Sequence, residues 1–95
     1  GTVRVDQTCA AGLIPDGAMD TVVTNPPFHQ GHAVSFEVAQ LFVEEAARVL
    51  KPGGDLFLVA NTFLDYGPWL TRRFSLLGPA LEDQRFRVWH ARKAQ

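Results

Sequence analysis

Several features that would mark a secreted, membrane-bound or metal-binding protein are missing from this sequence. Its one cysteine, Cys9, cannot form an internal disulfide and offers no metal-ligand spacing. No stretch approaches the ~20 apolar residues of a membrane span, and no basic and then apolar leader opens the chain. With 46% hydrophobic and 20% charged residues, the composition is that of an ordinary globular domain. We therefore expect one cytoplasmic domain over residues 1–95, with no metal and no membrane segment.

A strong excess of positive charge, the usual mark of a nucleic-acid binder, is also absent, because the net charge is −1. The charges are unevenly spread, however. Residues 1–50 hold two basic and six acidic side chains, whereas residues 51–95 hold seven basic and four acidic ones. The basic residues of the second half either form a phosphate-facing patch or are ordinary solvated surface. The candidates for such a patch are Arg72, Arg73, Arg85, Arg87, Arg92 and Lys93.

The most informative stretch runs from Asp20 to His29. The short β-branched segment Asp20 to Thr24 predicts a buried strand. It ends at Asn25, and the two prolines that follow cannot continue a ladder because neither has an N–H to donate. In parallel α/β sheets, ligand sites lie outside the carboxyl ends of the strands. We therefore expect the functional site at this strand end.

The residues at that strand end suit a planar group that carries an NH2. The amide oxygen of Asn25 is a hydrogen-bond acceptor on a short side chain. The prolines stiffen the backbone and remove two competing donors, which leaves the carbonyl of Pro26 as a second acceptor. Phe28 adds a flat ring on which a planar partner can stack. The pattern indicates two fixed oxygens and an aromatic face.

The rest of the chain predicts a single α/β domain with strands and helices in the order β, β, α, β, α, β, β. The helix at 35–50 has apolar residues at helical spacing, and the apolar segment 56–60 is typical of a parallel strand covered on both faces. The segment 76–79 contains Gly78 and Pro79 and predicts a break. The remaining predicted elements are a strand at 3–5, a short helix at 65–74, and an antiparallel pair of 80–82 with 86–90.

Residues 25–31, Asn-Pro-Pro-Phe-His-Gln-Gly, resemble motif IV of the class I S-adenosylmethionine-dependent N-methyltransferases. The Phe-His-x-Gly continuation is similar to the ribosomal RNA guanine-N2 methyltransferases of the methyltransferase small domain family. Residues 50–56, 59–64 and 85–89 also resemble segments of that family, in the same order. Together the four segments extend the resemblance over essentially the whole chain.

The resemblance implies the C-terminal half of a Rossmann-like class I methyltransferase sheet, with parallel strands and a terminal antiparallel hairpin. The first half of that fold, with its glycine-rich cofactor loop, has no counterpart in these 95 residues. Residues 1–95 are therefore expected to be a partial methyltransferase domain. In the intact fold the strand at Thr21–Thr24 is central, so we expect it to present an unpaired edge here and to promote self-association.

The resemblance also implies S-adenosylmethionine as the cofactor and a guanine exocyclic amine in ribosomal RNA as the substrate. It assigns catalysis to Asn25, Pro26 and Phe28, and further substrate contacts to Pro27, His29, Asn61 and Phe63. Asp6 and Asn25 are the expected cofactor contacts, although the strand register could place Gln7 where Asp6 is expected. A loop position for His29, and capping or core roles for Asn61 and Phe63, are equally compatible with the sequence.

Two other functions stay open at this point. The same motif also accepts the amide of a protein glutamine or the amine of a DNA adenine, since both present an NH2. Family members that act on glutamine more often have Tyr at the position of Phe28, which favours RNA here. Alternatively, the chain is a catalytically inactive fragment or a binding module, because half of the cofactor site is missing.

Overall fold

The computed structural model describes residues 2–5, 14–25, 36–62 and 65–94. The element order is the predicted one, with strands and helices alternating as in an α/β domain. The elements are β1 (Thr2–Val5), β2 (Met19–Thr24), α1 (Phe36–Val49), β3 (Leu50–Asn61), α2 (Gly67–Arg73), β4 (Phe74–Glu82) and β5 (Phe86–Lys93). The longer of the two described helices has 14 residues, and neither is long and apolar enough to cross a membrane.

The five strands form one sheet in the order β1-β2-β3-β5-β4. Strands β1, β2 and β3 pair in parallel, whereas β5 is antiparallel to both of its neighbours. Strand β4 therefore runs in the same direction as β1–β3. The carboxyl ends of four strands consequently lie at one edge of the sheet, together with the turn that leads into β5. This carboxyl edge includes Thr24, Asn61 and Phe86, and the arrangement confirms the predicted fold class.

One face of the sheet, the core face, is buried under both described helices. Alternate residues of the two inner parallel strands lie on this face, because successive side chains of a strand point to opposite sides. The amphipathic helix α1 and the short helix α2 pack their apolar residues against them in a single cluster. Its members include Val22, Phe42, Val43, Ala46, Val49, Leu56, Leu58, Ala60, Leu70 and Trp89.

The opposite face, here called the second face, is only half-covered in the part of the chain that the structure describes. Val23, Phe57, Val59, Val88 and His90 lie on it, and each is partly exposed. Its central members are apolar, as expected for strands that are buried on both sides in parallel sheets. The two faces of the sheet therefore differ in how completely the described residues bury them.

Helix α1 ends at Val49, within one residue of the predicted end, whereas strand β3 begins at Leu50, six residues earlier than the sequence indicates. The Pro-Gly-Gly segment instead forms an irregularity in which Leu50 pairs with Met19 and Asp55 pairs with Thr21. Gly53 has a φ of 82°. A Cβ on Gly54 would lie only 2.9 Å from the carbonyl oxygen of Lys51 and 3.0 Å from that of Asp20. Glycine at position 54 thus permits this close approach of two backbones.

The prediction of a break at 76–79 is wrong, because these residues lie within β4. The strand contains Gly78 with a φ of 105°, and register shifts occur on both sides of the Gly-Pro pair. Pro79 is tolerated because β4 is an edge strand, where a missing N–H need not interrupt a ladder. The terminal hairpin is consequently longer than the sequence predicts.

The expected unpaired edge at Thr21–Thr24 is absent, so this prediction was also wrong. Strand β2 pairs with β1 on one side, from Thr2 opposite Thr21 to Val5 opposite Thr24, and with β3 on the other. Its backbone groups are therefore used within the chain. The structure gives no support for self-association through this strand.

Candidate active site

Two asparagines meet at the carboxyl edge of the sheet. Thr24, the last residue of β2, pairs with Leu58, so Asn25 is level with Val59 and Asn61 lies two residues further along β3. Continuing the strand alternation by one residue places both asparagines on the second face, with Val23 and Phe57. One strand spacing of about 4.8 Å and an offset of two residues, about 6.6 Å, place their Cα atoms about 8 Å apart. The two amides thus lie side by side where parallel sheets bind ligands.

Asn25 is exposed, and its side chain forms no hydrogen bond with any residue that the structure describes. The neighbouring Thr24 is buried at 1% exposure, so the strand end is anchored immediately before the amide. Asn61 is half-buried and likewise forms no side-chain hydrogen bond within the described ranges. Both amides can therefore donate to or accept from a ligand without first breaking a bond to a described partner.

Thr62 holds the end of β3 against the β4–β5 turn. Its backbone N–H donates to the carbonyl of Arg85 at 2.9 Å, and its hydroxyl donates to the carbonyl of Gln84 at 3.1 Å. The two bonds fix the position of the adjacent Asn61 relative to the hairpin. No local sequence signal marks this role of Thr62, since its partners are 22 and 23 residues away in the chain.

The β4–β5 turn is built around Asp83. The backbone N–H groups of Phe86 and Arg85 each donate to Oδ1 of Asp83 at 2.7 Å. These two bonds, that from Phe86 first, lower the pKa of Asp83 below its ordinary value. Gln84 occupies the middle of this turn. No described non-glycine residue has a positive φ, so this turn does not need glycine.

Most of the residues expected at the site lie outside the described ranges. Of the predicted site residues, the structure places Asn25 and Asn61 and brings them to the same edge and face. For the remaining predicted site residues, the contacts with the amine and with the cofactor therefore stay predictions. These are Asp6, Pro26, Pro27, Phe28, His29 and Phe63, and the alternative Gln7 lies outside as well.

The six basic residues of the possible phosphate patch divide into two groups. Four have partners within the chain: Arg73 with Glu44, Arg87 with Glu82, Arg92 with Asp55, and Lys93 with the carbonyl of Leu50. Arg72 and Arg85 are exposed and form no ion pair with a described residue. Arg72 is near the end of α2, just before β4 begins, whereas Arg85 lies in the turn at the carboxyl edge. Only Arg85 is thus positioned beside the candidate site.

A second polar cluster lies on the second face near the start of β3. Oδ1 of Asp55 is 3.0 Å from Nε2 of His90 and 3.0 Å from Nε of Arg92. The His90 ring stacks on Phe57 with centroids 4.5 Å apart. The bond from His90, followed by that from Arg92, lowers the pKa of Asp55 against the opposing effect of desolvation. Asp55 is six residues before Asn61, about 20 Å along the strand, so this cluster stabilises the sheet away from the candidate site.

The arrangement defines a class of protein. Three parallel strands are followed by a terminal antiparallel hairpin, as in class I methyltransferases. An exposed asparagine lies directly after an inner parallel strand. The sequence model of the family described as "Methyltransferase small domain" matches residues 3–90. The chain belongs to the methyltransferase small domain family.

Curated relatives agree with this assignment. The "Ribosomal RNA small subunit methyltransferase C" of Hahella chejuensis is 48% identical over 73 residues, which are 77% of this chain and 21% of that protein. The protein of the same name from Chromohalobacter salexigens is 44% identical over 79 residues, covering 83% of this chain and 24% of that one. The chain thus spans between a fifth and a quarter of the length of these relatives.

A solved structure is similar as well. The 16S rRNA N2 methyltransferase of T. thermophilus, determined in complex with AdoMet and guanosine, is 44% identical with a TM-score of 0.68. The match covers 86% of this chain and 22% of that protein. The fold seen here therefore corresponds to about a fifth of that solved protein.

Proposed function

We propose that this chain is part of an S-adenosylmethionine-dependent N-methyltransferase that acts on the exocyclic amine of a guanine in ribosomal RNA. The observation that carries the proposal is the exposed amide of Asn25 at the carboxyl end of β2, in the sequence context Asn-Pro-Pro-Phe. The similarity to a methyltransferase that binds AdoMet and guanosine supports the same substrate class.

In this proposal the chain mainly positions the target base. The amine donates to the amide oxygen of Asn25 and the carbonyl of Pro26, while the base stacks on Phe28. Pro27, His29, Asn61 and Phe63 line the substrate side. Because a target base within a duplex is inaccessible, the guanine must be unpaired or flipped out of its stack.

S-adenosylmethionine supplies an already activated methyl group when it is bound, so no nucleophilic side chain is required. Catalysis would then depend on holding the amine in position to receive that methyl group and on excluding water. The residues of this chain fit one side of such a site, since an exposed amide at the strand end can hydrogen-bond a nucleoside. Asp6 and Asn25 would contribute cofactor contacts. The glycine-rich loop would come from another part of the full-length protein.

The whole protein is the appropriate subject for the test. Full-length enzyme and methyl-labelled cofactor are incubated in three separate reactions, one with ribosomal subunits, one with release factors and one with duplex DNA. We expect label in ribosomal RNA, recovered as N2-methylguanine after hydrolysis. Label only in protein would favour the glutamine alternative, and label in DNA adenine would favour a DNA enzyme; either result would refute the RNA proposal.

A second measurement concerns residues 1–95 alone. Titration calorimetry with S-adenosylmethionine is expected to show no micromolar binding, since the glycine-rich loop is not among these residues. Micromolar binding would contradict the division of the cofactor site proposed here.

An RNA-modifying enzyme of this kind would work in the bacterial cytoplasm, where ribosomal RNA is found.

A further inference from the structure

An exposed apolar depression lies at the tip of the terminal hairpin. It has a volume of about 270 Å³ and is lined by Leu81, Glu82, Asp83, Phe86 and Val88. Leu81 is 72% exposed and Phe86 is 46% exposed. Large apolar side chains grouped at one surface site usually mark a binding surface. We call this depression the hairpin pocket.

The hairpin pocket shares an edge and a face with the candidate active site. Phe86 pairs with Asn61 across β3 and β5, and Val88 pairs with both Val59 and Leu81. Directly paired residues lie on the same face, so the pocket belongs to the second face, as do Asn25 and Asn61. Two strand spacings of about 4.8 Å each, together with an offset of two residues or about 6.6 Å along the strands, place Phe86 about 12 Å from Asn25. A ligand held at Asn25 therefore has the pocket beside it.

Counted with the neighbouring Arg85 and Arg87, the two acidic lining residues Glu82 and Asp83 leave no net negative charge around the pocket to oppose an anionic partner. Oδ1 of Asp83 accepts two backbone N–H bonds, and Glu82 is paired with Arg87. Both carboxylates are thus occupied within the chain. The guanidinium of Arg85, by contrast, forms no ion pair with any described residue, although it is close enough to Asp83 to lower the pKa of that carboxyl slightly further.

We propose that the hairpin pocket binds an unpaired nucleotide adjacent to the target guanine, with its base stacked on Phe86 and its phosphate beside Arg85. An exposed aromatic ring next to a cation is the usual means of binding single-stranded nucleic acid. A flipped target leaves its neighbours partly unstacked, so they need a new partner. This inference rests on the proposed function and adds a second RNA contact to it.

The test uses full-length protein and a fluorescein-labelled, unpaired 12-nucleotide RNA with a central guanine. Base stacking on an aromatic side chain predicts that Phe86→Leu, which keeps apolar bulk but removes the ring, raises the Kd about tenfold. Phe86→Tyr should bind as tightly as the wild type. Arg85→Ala should weaken binding several-fold and reduce the slope of log Kd against log salt by about one.

Matched controls come from the same chain. Leu41 is 53% exposed on α1 and Arg72 is exposed near the end of α2, and both helices cover the core face, opposite to the face of the pocket. Leu41→Ala and Arg72→Ala should leave the Kd within twofold of the wild type. Calorimetric binding of S-adenosylmethionine should be unchanged in every variant, because the pocket is not expected to contact the cofactor.

Three results would overturn the proposal: no binding of this RNA by the wild type, equal Kd values for Phe86→Leu and the wild type, or a loss of binding by Phe86→Leu matched by the two controls. A large fall in the melting temperature of Phe86→Leu with RNA binding retained would also overturn it, since Phe86 would then be covered by another segment of the protein.

If the wild type methylates ribosomal RNA while Phe86→Leu binds the RNA normally, only the pocket is refuted. If the wild type methylates no RNA, the proposed function itself fails.

Discussion

The two ends of β3 differ in how their polar groups are used. At the carboxyl end, the amides of Asn61 and its neighbour Asn25 form no hydrogen bond with described residues. In the first half of the strand, Asp55 is bound by His90 and Arg92, and Lys93 donates to the carbonyl of Leu50. Side chains with partners hold the sheet together, whereas those without a partner remain available to a ligand. One strand thus serves stability at its start and binding at its end.

The strongest test of this contrast is Asn25→Ala in the full-length protein. Loss of a positioning contact to the reacting amine is expected to lower kcat/KM by about 100-fold. The melting temperature should change little, because the side chain is exposed and has no described partner. Initial rates and thermal unfolding of the same preparation measure both quantities. A fall in activity that parallels a fall in melting temperature would show that Asn25 is structural.

Gly54→Ala tests the opposite end of the strand. The new Cβ would lie within 3.0 Å of two backbone carbonyl oxygens, so β2 and β3 must separate. We expect the free energy of unfolding to fall by about 1–3 kcal/mol, as in other overpacked sites. Denaturant unfolding measures the change. At temperatures where the variant is folded, kcat/KM should stay near the wild-type value. A loss of activity without a loss of stability would contradict the assignment of this part of β3 to stability alone.

Asp55→Asn should have a smaller effect that depends on pH. The folded-state pKa of Asp55 lies below its ordinary value, so ionised Asp55 contributes stability above the unfolded-state pKa of about 3.9, and this contribution disappears as the pH falls through the folded-state value. For a partly exposed ion pair the contribution is about 0.5–1 kcal/mol. Unfolding curves of both proteins between pH 3 and 7 should therefore converge at the acidic end. A difference that is independent of pH would argue against the charge as the cause.

Thr62→Val is expected to have the smallest effect on stability. It removes the exposed hydroxyl bond to Gln84 but keeps the backbone bond to Arg85, so the cost should be about 0.5 kcal/mol or less. Because Asn61 is adjacent, we expect KM for RNA to rise two- to fivefold, roughly what a loosened contact costs. Thr62→Ser, which retains the hydroxyl, is the matched control. A change in kcat with unaltered KM would place Thr62 in a different role.

Local sequence signals predicted the elements better than their pairing. The β-branched run before Asn25 and the amphipathic pattern of α1 each identified an element to within about two residues of its observed bounds. The sequence predicted a break at Gly78-Pro79 and placed Pro52-Gly53-Gly54 before the start of a strand at 56, yet both segments lie in strands. Pairing with β2 in one case and with β5 in the other overrides the local preference of these residues, and a distant partner is not visible in a short window of sequence.

The candidate site shows the same division. The residue types of motif IV predicted a site at Asn25 and the strand end, and the structure places Asn25 exposed directly after β2. The anchoring of Asn61 by Thr62, the Asp55–His90–Arg92 cluster and the hairpin pocket were not predicted. Each depends on residues more than 20 positions apart that only the strand register brings together.

The sequence by itself therefore determined the identity of the elements, their order, and the amide, proline and aromatic groups offered at the end of β2, because these follow from local propensity and side-chain chemistry. Only the tertiary structure decided that β1 covers the edge of β2, that Asn61 and Phe86 lie at the same edge and on the same face of the sheet as Asn25, and that Arg85 is the exposed basic residue of that edge. Those relations arise from hydrogen bonds between strands and from burial against the helices, and both join residues that are remote in the chain.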